Sequence, residues 1–596
     1  MRLLNKYFQI IIRLSIVLLI FQICRLLFIL FNGYFFPDIG FVKILHLMVS
    51  GLRYDIAAIL LINLPYLFFM LLSFNKNIDR IKNHLLKFVF ITTNLFAIIL
   101  NIIDIFYFPY TLNRLSISFF SFYLGTQKNI TILIFHFLGE YWYAVVILAA
   151  IILIIVRGYN RVEKVLLFPQ KPSNRTTDIS VFVVIIYLTF SGIYSSWIPF
   201  NKLLTTDEAW DSADNPFEIA AVTNTPYNIL FSQCNQHAVI GQLPILKGKK
   251  YILTPVDSFT KKNVVIFILE SFTKEASGLL NPNLEDGNYK GYTPFLDSLM
   301  QHSLYFTHAY ANGRRSIDAI PAILSSLPSI SPLSPLSYQS DDAVISIASL
   351  LKNEGYVTQF FHGADNGSMG FDRFCKKAGI DEYYGLTEFN DNNEFDGTWG
   401  IWDEPFLQFT AQKQLQTSQP FFSTIFNLSS HNPYVLPLKY AGKFKEGIDP
   451  ICKCISYTDY SIRNYFNTVS KMPWFHNTIF IFTADHSIIP WHTEYQNTEK
   501  AFAIPLFFYT PDGSLLGKRD RIAQQIDILP TVLCFLKYPD VFSSIGNNLL
   551  DTNSSEWAVN EIMKIPQQIE KGSQVKWIKA NGTIIRSLQK ENPKSN

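Results

Sequence analysis

The sequence predicts two units of different class: an N-terminal unit of five membrane-spanning helices, then a C-terminal α/β unit with a largely parallel sheet sandwiched by helices. Three observations predict this. The long apolar runs lie in residues 1–200. From Lys262 onward, short apolar runs alternate with stretches of helical character, the pattern of a parallel sheet. Four of those short runs end in Glu, His or Asp. Composition agrees: 49% of the 596 residues are hydrophobic and only 16% charged. An ordinary soluble domain is about one-quarter charged, so part of this chain belongs in lipid. The composition shifts divide it into a transmembrane domain at 1–200, a juxtamembrane connector at 201–250 and a catalytic-type domain at 251–596.

A spanning helix needs about 20 apolar residues, and five stretches qualify: 8–31, 55–74, 86–108, 131–156 and 179–199. The first is too long for the apolar core of a signal peptide and lacks a small-residue cleavage site, so it reads as a retained anchor. Residues 41–53 are mixed in character and read as a short interfacial helix. Basic residues fix the direction. Arg2 and Lys6 precede the first span; Lys76, Arg80 and Lys82 separate the second from the third; Arg157, Arg161, Lys164, Lys171 and Arg175 separate the fourth from the fifth. Positive segments stay in the cytoplasm, so five crossings put everything after residue 199 outside. Arg13, Arg25 and Asp104 lie in or near spans, where snorkelling or helix–helix pairing is expected. The connector, with Asp207, Glu208, Asp211 and Asp214, is expected to carry short helices along the bilayer surface. A net charge of +3 without a long basic run excludes a nucleic-acid partner. The six cysteines (24, 234, 375, 452, 454 and 534) form neither a zinc-type pair of pairs nor a disulfide framework.

In the second unit, the strand at 264–269 is followed by Glu270, and the strand at 356–361 by His362 and Asp365. The strand at 421–428 precedes Ser429, Ser430 and His431, and the strand at 478–482 precedes Asp485 and His486. Open α/β sheets bind ligands outside the carboxyl ends of their strands, so four strands bring these groups to one edge. A lone Glu after a strand is more often a helix-start carboxylate, and a lone Asp-His pair a hydrogen-bonded turn; four coincidences at one edge outweigh those readings. Carboxylate and imidazole ligands together suit Mn²⁺, Zn²⁺ or a similar divalent ion. The segment Tyr310-Ala-Asn-Gly-Arg-Arg-Ser-Ile-Asp318 supplies a nucleophile candidate, Ser316, before a stretch of helical character. A hydroxyl at a helix N-terminus faces free amide donors suited to phosphate or sulfate, and a coordinated cation activates it. Arg314 and Arg315 are candidates for neutralising substrate charge. The plain alternative makes Ser316 an N-cap with Asp318 in the first turn.

Taken together, Leu269-Glu-Ser-Phe272, Tyr292-Thr-Pro-Phe295, the 313–318 loop, Ser430-His-Asn-Pro433 and Thr483-Ala-Asp-His486 resemble the lipoteichoic acid synthase/phosphoglycerol transferase family. That family lies within the alkaline phosphatase and sulfatase superfamily. Gly51-Leu-Arg-Tyr-Asp55 is similar to a further family feature. The resemblance implies that Glu270, Ser316, Asp485 and His486 hold one divalent metal ion, commonly manganese, with zinc or magnesium as alternatives. Ser316 stands where the family has a threonine nucleophile. His431 matches a histidine that touches the substrate phosphate, and His362 and Asp365 fall among the family's pocket residues. The family's Trp and Arg after this strand are missing; the chain reads Gly367-Ser-Met-Gly-Phe-Asp-Arg373, and Arg373 is the candidate replacement at a different offset.

The expected activity is therefore metal-dependent transfer of phosphoglycerol from a phospholipid donor to a glycan or polymer acceptor, through a covalent phosphoserine. The expected location is a bacterial cytoplasmic membrane, multi-pass, with the catalytic domain outside. Three rivals stand beside it. Sulfate-ester hydrolysis of the arylsulfatase type needs a Cys/Ser-x-Pro-x-Arg motif that the chain lacks. Phosphoethanolamine transfer shares the architecture but belongs with several disulfides in the outer domain. A catalytically silent sensor would show decay of the metal set, which is intact. Orientation has a direct check. An alkaline phosphatase reporter fused after residue 80 is expected to be inactive and one fused after residue 290 active; the reverse pattern would turn the chain over.

Overall fold

The structure is a computed structural model describing residues 2–36, 39–71, 76–115, 138–163, 175–196, 204, 206–231, 249–252, 259–329, 344–496, 499–554, 557–560, 563–566, 576–578 and 584–586. It forms two compact units, one within residues 1–240 and one within 241–596.

The first unit is helical. Among the described residues, four helical stretches are long and apolar enough to cross a membrane: Asn5–Phe31, Phe41–Ile62, Ile81–Thr111 and Trp142–Glu163. The fifth expected span corresponds to the helix Arg175–Tyr194, whose described apolar part, Phe182–Tyr194, is shorter. One expectation is corrected. Residues 41–53 are not a separate interfacial helix but the first half of a continuous helix, Phe41–Ile62, followed by Leu64–Leu71. Gly51 inside it leaves room for the Arg25 side chain, which a Cβ there would meet. The charges in the spans are paired rather than snorkelled. Arg25 pairs with Asp55, and Arg114 with Asp104 at 3.2 Å, all four essentially buried. Arg13 donates to Tyr66 Oη at 2.8 Å and lies over the Tyr159 ring. The described part of the connector packs into this unit. Asn224 donates to Asp55 and Thr225 Oγ1 to Asp104, at 2.8 and 2.6 Å.

The second unit is built on an eight-stranded sheet. Its strands are β2 (Asn263–Leu269), β3 (Leu304–Tyr310), β4 (Val357–His362), β5 (Glu382–Tyr384), β6 (Phe421–Phe426), β7 (Thr478–Ala484), β8 (Leu506–Tyr509) and β9 (Gly517–Gln524). Before them, β1 (Lys249–Tyr251) pairs among the described residues with Phe542–Ser544. The order is β5-β4-β6-β2-β7-β8-β3-β9. Only β8 runs against the others. β2, β6 and β7 are buried at every position, so both faces of the sheet are covered. That explains their unbroken apolar runs, where a half-exposed strand would alternate. In the core, Phe267 on β2 stacks on Phe482 of β7, which stacks on Phe507 of β8, with ring centroids 4.7 and 4.6 Å apart. These residues face each other in register. The ladder locks the alignment of the central strands, and with it the level at which their carboxyl ends emerge. Among the described residues the cysteines Cys24, Cys375, Cys452, Cys454 and Cys534 are free.

Two buried carboxyls outside the site set a pH dependence. Asp527 accepts Asn547 N at 2.7 Å and Gln524 N at 3.1 Å, and burial pushes its carboxyl up to about 7. Asp459 accepts the amides of Phe295 and Leu296 and is likewise raised by burial to about 7. A carboxyl whose folded pKa exceeds its unfolded value binds more protons when folded. Its contribution is therefore full below the unfolded value near 4 and lost as pH rises through 7. The thermal midpoint of the solubilised chain is expected to fall between pH 5 and 8. Asp527→Asn should flatten that slope; an unchanged slope would show that Asp527 is ionised throughout.

Candidate active site

The carboxyl ends of β2, β4, β6 and β7, adjacent in the sheet, deliver the side chains that the sequence singles out. Glu270 follows β2 directly, 2% exposed. Its amide donates to Asn427 Oδ1 at 2.9 Å, and its carbonyl accepts Ser430 Oγ at 2.6 Å. Asn427 is held by Asp403, which also accepts the amides of Leu428 and Ser429. Ser271 turns the chain with φ 58°, an unusual conformation for a residue with a Cβ. The turn aims its amide at Asp485 Oδ1, 2.7 Å away. Asp485, fully buried after β7, also accepts the His486 amide at 2.7 Å. Gln525 fastens that turn by donating to the carbonyls of Ala484 and Asp485 at 2.8 and 2.7 Å.

Ligand atoms of Glu270, Asp485 and His486 all lie within 4.8 Å of one another. His486 Nδ1 faces the Ser487 carbonyl at 2.9 Å. A carbonyl only accepts, so Nδ1 carries the proton and Nε2 offers its lone pair. Nε2 is 3.2 Å from Asp485 Oδ2 and 3.9 Å from Glu270 Oε1. The other oxygen of Asp485, Oδ2, is buried without a hydrogen-bond donor. Leaving a buried acceptor unsatisfied costs about 1–3 kcal/mol, more when it is charged. Burial, and then the charge of Asp485, push the Glu270 carboxyl well above its usual range. Two crowded carboxylates, an orphaned oxygen and a correctly presented imidazole nitrogen fit a divalent cation, which would relieve all three conflicts.

Ser316 is the first residue of the helix Ser316–Ser325, and Arg315 takes the N-cap position. Ser316 is thus not the cap of the plain reading. Its Oγ lies 3.4 Å from Glu270 Oε2 and 3.5 Å from His486 Nε2. The loop before it is fixed by Asn312, which donates to Gln524 Oε1 and receives the Ile526 amide. Gly313 is required by close approach, since a Cβ there would stand 2.4 Å from Asp318 Cβ.

The basic residues of this loop have other partners. Arg315 forms a two-point pair with Asp318, 2.9 Å at each contact. Arg314 is buried, donating to Ser487 Oγ at 2.9 Å and to the Ala501 carbonyl; it is a strut rather than a charge offered to a ligand. Arg373 sits on the exposed face of the helix Phe371–Lys377, outside the cluster. Asp365 is half-buried, and its carbonyl caps the Ser368 amide at 2.9 Å. His362 ends β4 inside the core, stacked on Phe426 at 4.8 Å, and burial pushes its imidazole down to about 4. His431, also lowered to about 4 by burial, has Nδ1 3.0 Å from the Asn432 carbonyl and its ring 3.9 Å from that of Trp399.

Trp399 is absent from the sequence-level candidates. It lies 32 residues upstream of His431 and donates its indole N–H to the Asn432 carbonyl. Asn427, Asp403 and Gln525 were equally hidden, being amide or carboxyl side chains without a motif of their own.

Residues 262–538 match the Sulfatase family. Lipoteichoic acid synthases of Staphylococcus aureus, strains bovine RF122 / ET3-1 and USA300, are 26% identical over 299 residues, covering 46% of this chain and 45% of the relative. The chain thus aligns with about half the length of these curated relatives. Among solved structures, a protein in the alkaline phosphatase superfamily from Vibrio parahaemolyticus is 25% identical with TM-score 0.46, covering 60% of this chain and 89% of that one. The lipoteichoic acid synthase LtaP from Listeria monocytogenes is 18% identical with TM-score 0.46, covering 56% and 90%. Residues 262–538, which hold the carboxylate–imidazole cluster at the sheet edge, are a sulfatase-family domain; the other unit is made of membrane-type helices. Over 46% of its length the chain is similar to lipoteichoic acid synthases.

Metal binding separates the cluster from its supports. Asp485→Asn is expected to abolish binding of Mn²⁺ or Zn²⁺ in calorimetric titration. Asn427→Ala, which only loosens Glu270, should weaken it about 10–100-fold. Equal affinity in wild type and Asp485→Asn would dismiss the cluster as a metal centre.

Proposed function

We propose that this chain transfers a phosphoglycerol head group from phosphatidylglycerol to a hydroxyl of a glycan or polymer acceptor. The observation that carries the reading is the position of Ser316. Its hydroxyl opens a helix N-terminus and stands beside both a Glu270 oxygen and the His486 nitrogen. Glu270, Ser316, Asp485 and His486 would hold one divalent ion, with manganese the choice suggested by the family resemblance. Such an ion supplies Lewis-acid stabilisation of phosphoryl oxygens and lowers the pKa of a coordinated hydroxyl.

Ser316 Oγ attacks phosphorus as its proton is lost. The bond from phosphorus to the diacylglycerol oxygen breaks, and diacylglycerol leaves with a proton as a neutral alcohol. The head group remains esterified to Ser316. The acceptor hydroxyl then attacks the same phosphorus, and the Ser316 Oγ–P bond breaks to return the free serine. The positive dipole end of the helix Ser316–Ser325 would favour the negative charge of the transferring group. His431, clamped by Trp399 and the Asn432 carbonyl, presents Nε2 as a contact for that group. A neutral imidazole there favours protonation when an anionic phosphodiester arrives, so it gains a donor only with substrate bound. Trp399 supplies an aromatic wall from outside the Gly367–Arg373 segment, where the family's Trp is missing. The reading places the chain in a bacterial cytoplasmic membrane with this unit outside, beside its lipid donor. Tethering raises the donor's effective concentration.

Ser316→Ala is expected to lower head-group turnover by several orders of magnitude while the domain stays folded. Full turnover by that variant would sink the assignment. Mass spectrometry of the Ser316 peptide after a donor screen should show an added glycerol phosphate. A phosphoethanolamine adduct would instead redirect the reading to that head group.

A further inference from the structure

The segment after His431, residues 434–450, leaves the sheet edge and returns at the helix Ile451–Val469. It is not a loose connection. Tyr440 joins a small aromatic core with Trp402 and Tyr457, against which Leu436 and Phe444 pack. At its end Asp449 Oδ1 accepts the Ile451 amide at 3.0 Å. Leu436, Tyr440 and Phe444 thus point inward at a spacing of four. The apolar residues between and beyond them point out: Leu438 is 93% exposed, Ile448 66% and Val435 52%. An ordered loop that spends its inward positions on a core, yet holds three aliphatic side chains in solvent, marks an interaction surface.

Charge identifies the partner. Lys439, Lys443 and Lys445 alternate with these apolar positions. Lys439 is already engaged by Glu404 at 3.5 Å and Glu394 at 3.8 Å, so the charges that face outward are Lys443, over the Tyr460 ring at 3.6 Å, and Lys445. The acidic groups of the segment are engaged, Asp449 by the Ile451 amide and Glu446 by Lys453 at 3.1 Å. Behind the loop, Lys443, Lys445 and Arg463 border a cavity of about 510 Å³ that is also lined by Phe295 and Tyr460. Protruding aliphatics, interfacial tyrosines and flanking lysines are the chemistry of a surface that inserts shallowly into a bilayer carrying anionic lipid.

We infer that residues 434–450 form a docking loop for the surface of a bilayer containing anionic phospholipid. Leu438, Ile448 and Val435 enter the apolar boundary, and the lysines meet lipid phosphates. The loop begins three residues after His431, so docking would set the proposed phosphate contact at lipid level. This deepens the head-group reading but is measured without it.

The test uses the full chain in nanodiscs. An environment-sensitive dye is placed at Leu438→Cys, with the unsubstituted chain as background and Leu516→Cys, also exposed, as the reference position. In discs containing phosphatidylglycerol, brominated acyl chains are expected to quench the dye at 438 strongly and at 516 weakly. Lys443→Gln and Lys445→Gln should each lower the docked-to-undocked ratio about fivefold. Equal quenching at 438 and 516 would overturn the proposal. So would quenching at 438 that is the same in discs of phosphatidylcholine alone, or binding of the polyanion heparin by the lysines with the dye unquenched. Head-group turnover is assayed separately, so loss of that activity leaves the quenching result standing.

Discussion

Glu270 and Asp485 reach the same buried pocket because β2 and β7 are hydrogen-bonded neighbours running in one direction. The register pairs Leu269 with Ala484, so the next residue on each strand is a carboxylate. Two like charges sharing a low-dielectric site repel strongly, and much of the surrounding structure serves to hold them there. Ser271 adopts a left-handed turn that directs an amide at Asp485. Asp403, through Asn427, fixes the backbone of Glu270 from the neighbouring β6 side. Gln525 ties down the turn after β7. None of these supports cancels the repulsion; they only prevent it from relaxing. A cation would resolve the conflict, and the cluster is built as a preorganised charge trap.

The nucleophile candidate is positioned by a different logic. Ser316 is carried on a helix whose preceding loop is pinned by Asn312 and by the close contact of Gly313 with Asp318. Arg314, buried beneath it, links this loop to Ser487 just beyond His486. The serine, the carboxylates and the imidazole are thus coupled through buried hydrogen bonds rather than through the motif residues alone. Around them, His362 and His431 are held neutral by burial. The site therefore presents aromatic and neutral walls around one charged centre.

In the helical unit the same physics recurs without a site. An isolated charge in a span is costly, and here Arg25 meets Asp55 and Arg114 meets Asp104. Asn224 and Thr225 complete these pairs from the connector. The described part of the segment after the spans is therefore built into the helical unit.

Apolar length and composition in the sequence were sufficient to separate the helical unit from the α/β unit. Strand-end chemistry pointed to Glu270, His362, Asp365, His431, Asp485 and His486 at one sheet edge; Ser316 came from the loop before a helix, and its grouping with Glu270, Asp485 and His486 came from the family resemblance. Those features are local: a run of apolar residues, or a polar residue just past such a run, carries its meaning wherever it stands. The tertiary structure alone decided what depends on partners distant in the chain. It merged residues 41–53 into a longer helix and set the Arg25 side chain, from another helix, against Gly51. It assigned Arg315 to Asp318, buried Arg314 as a strut and left Arg373 on an exposed helix face, none of which a basic residue's identity reveals. It brought Trp399 against His431 and placed Asn427 and Asp403 behind Glu270, since orientation by hydrogen bonds has no signature in spacing. A sequence shows which side chains can ligate or attack; only packing fixes which of them are left free to do so.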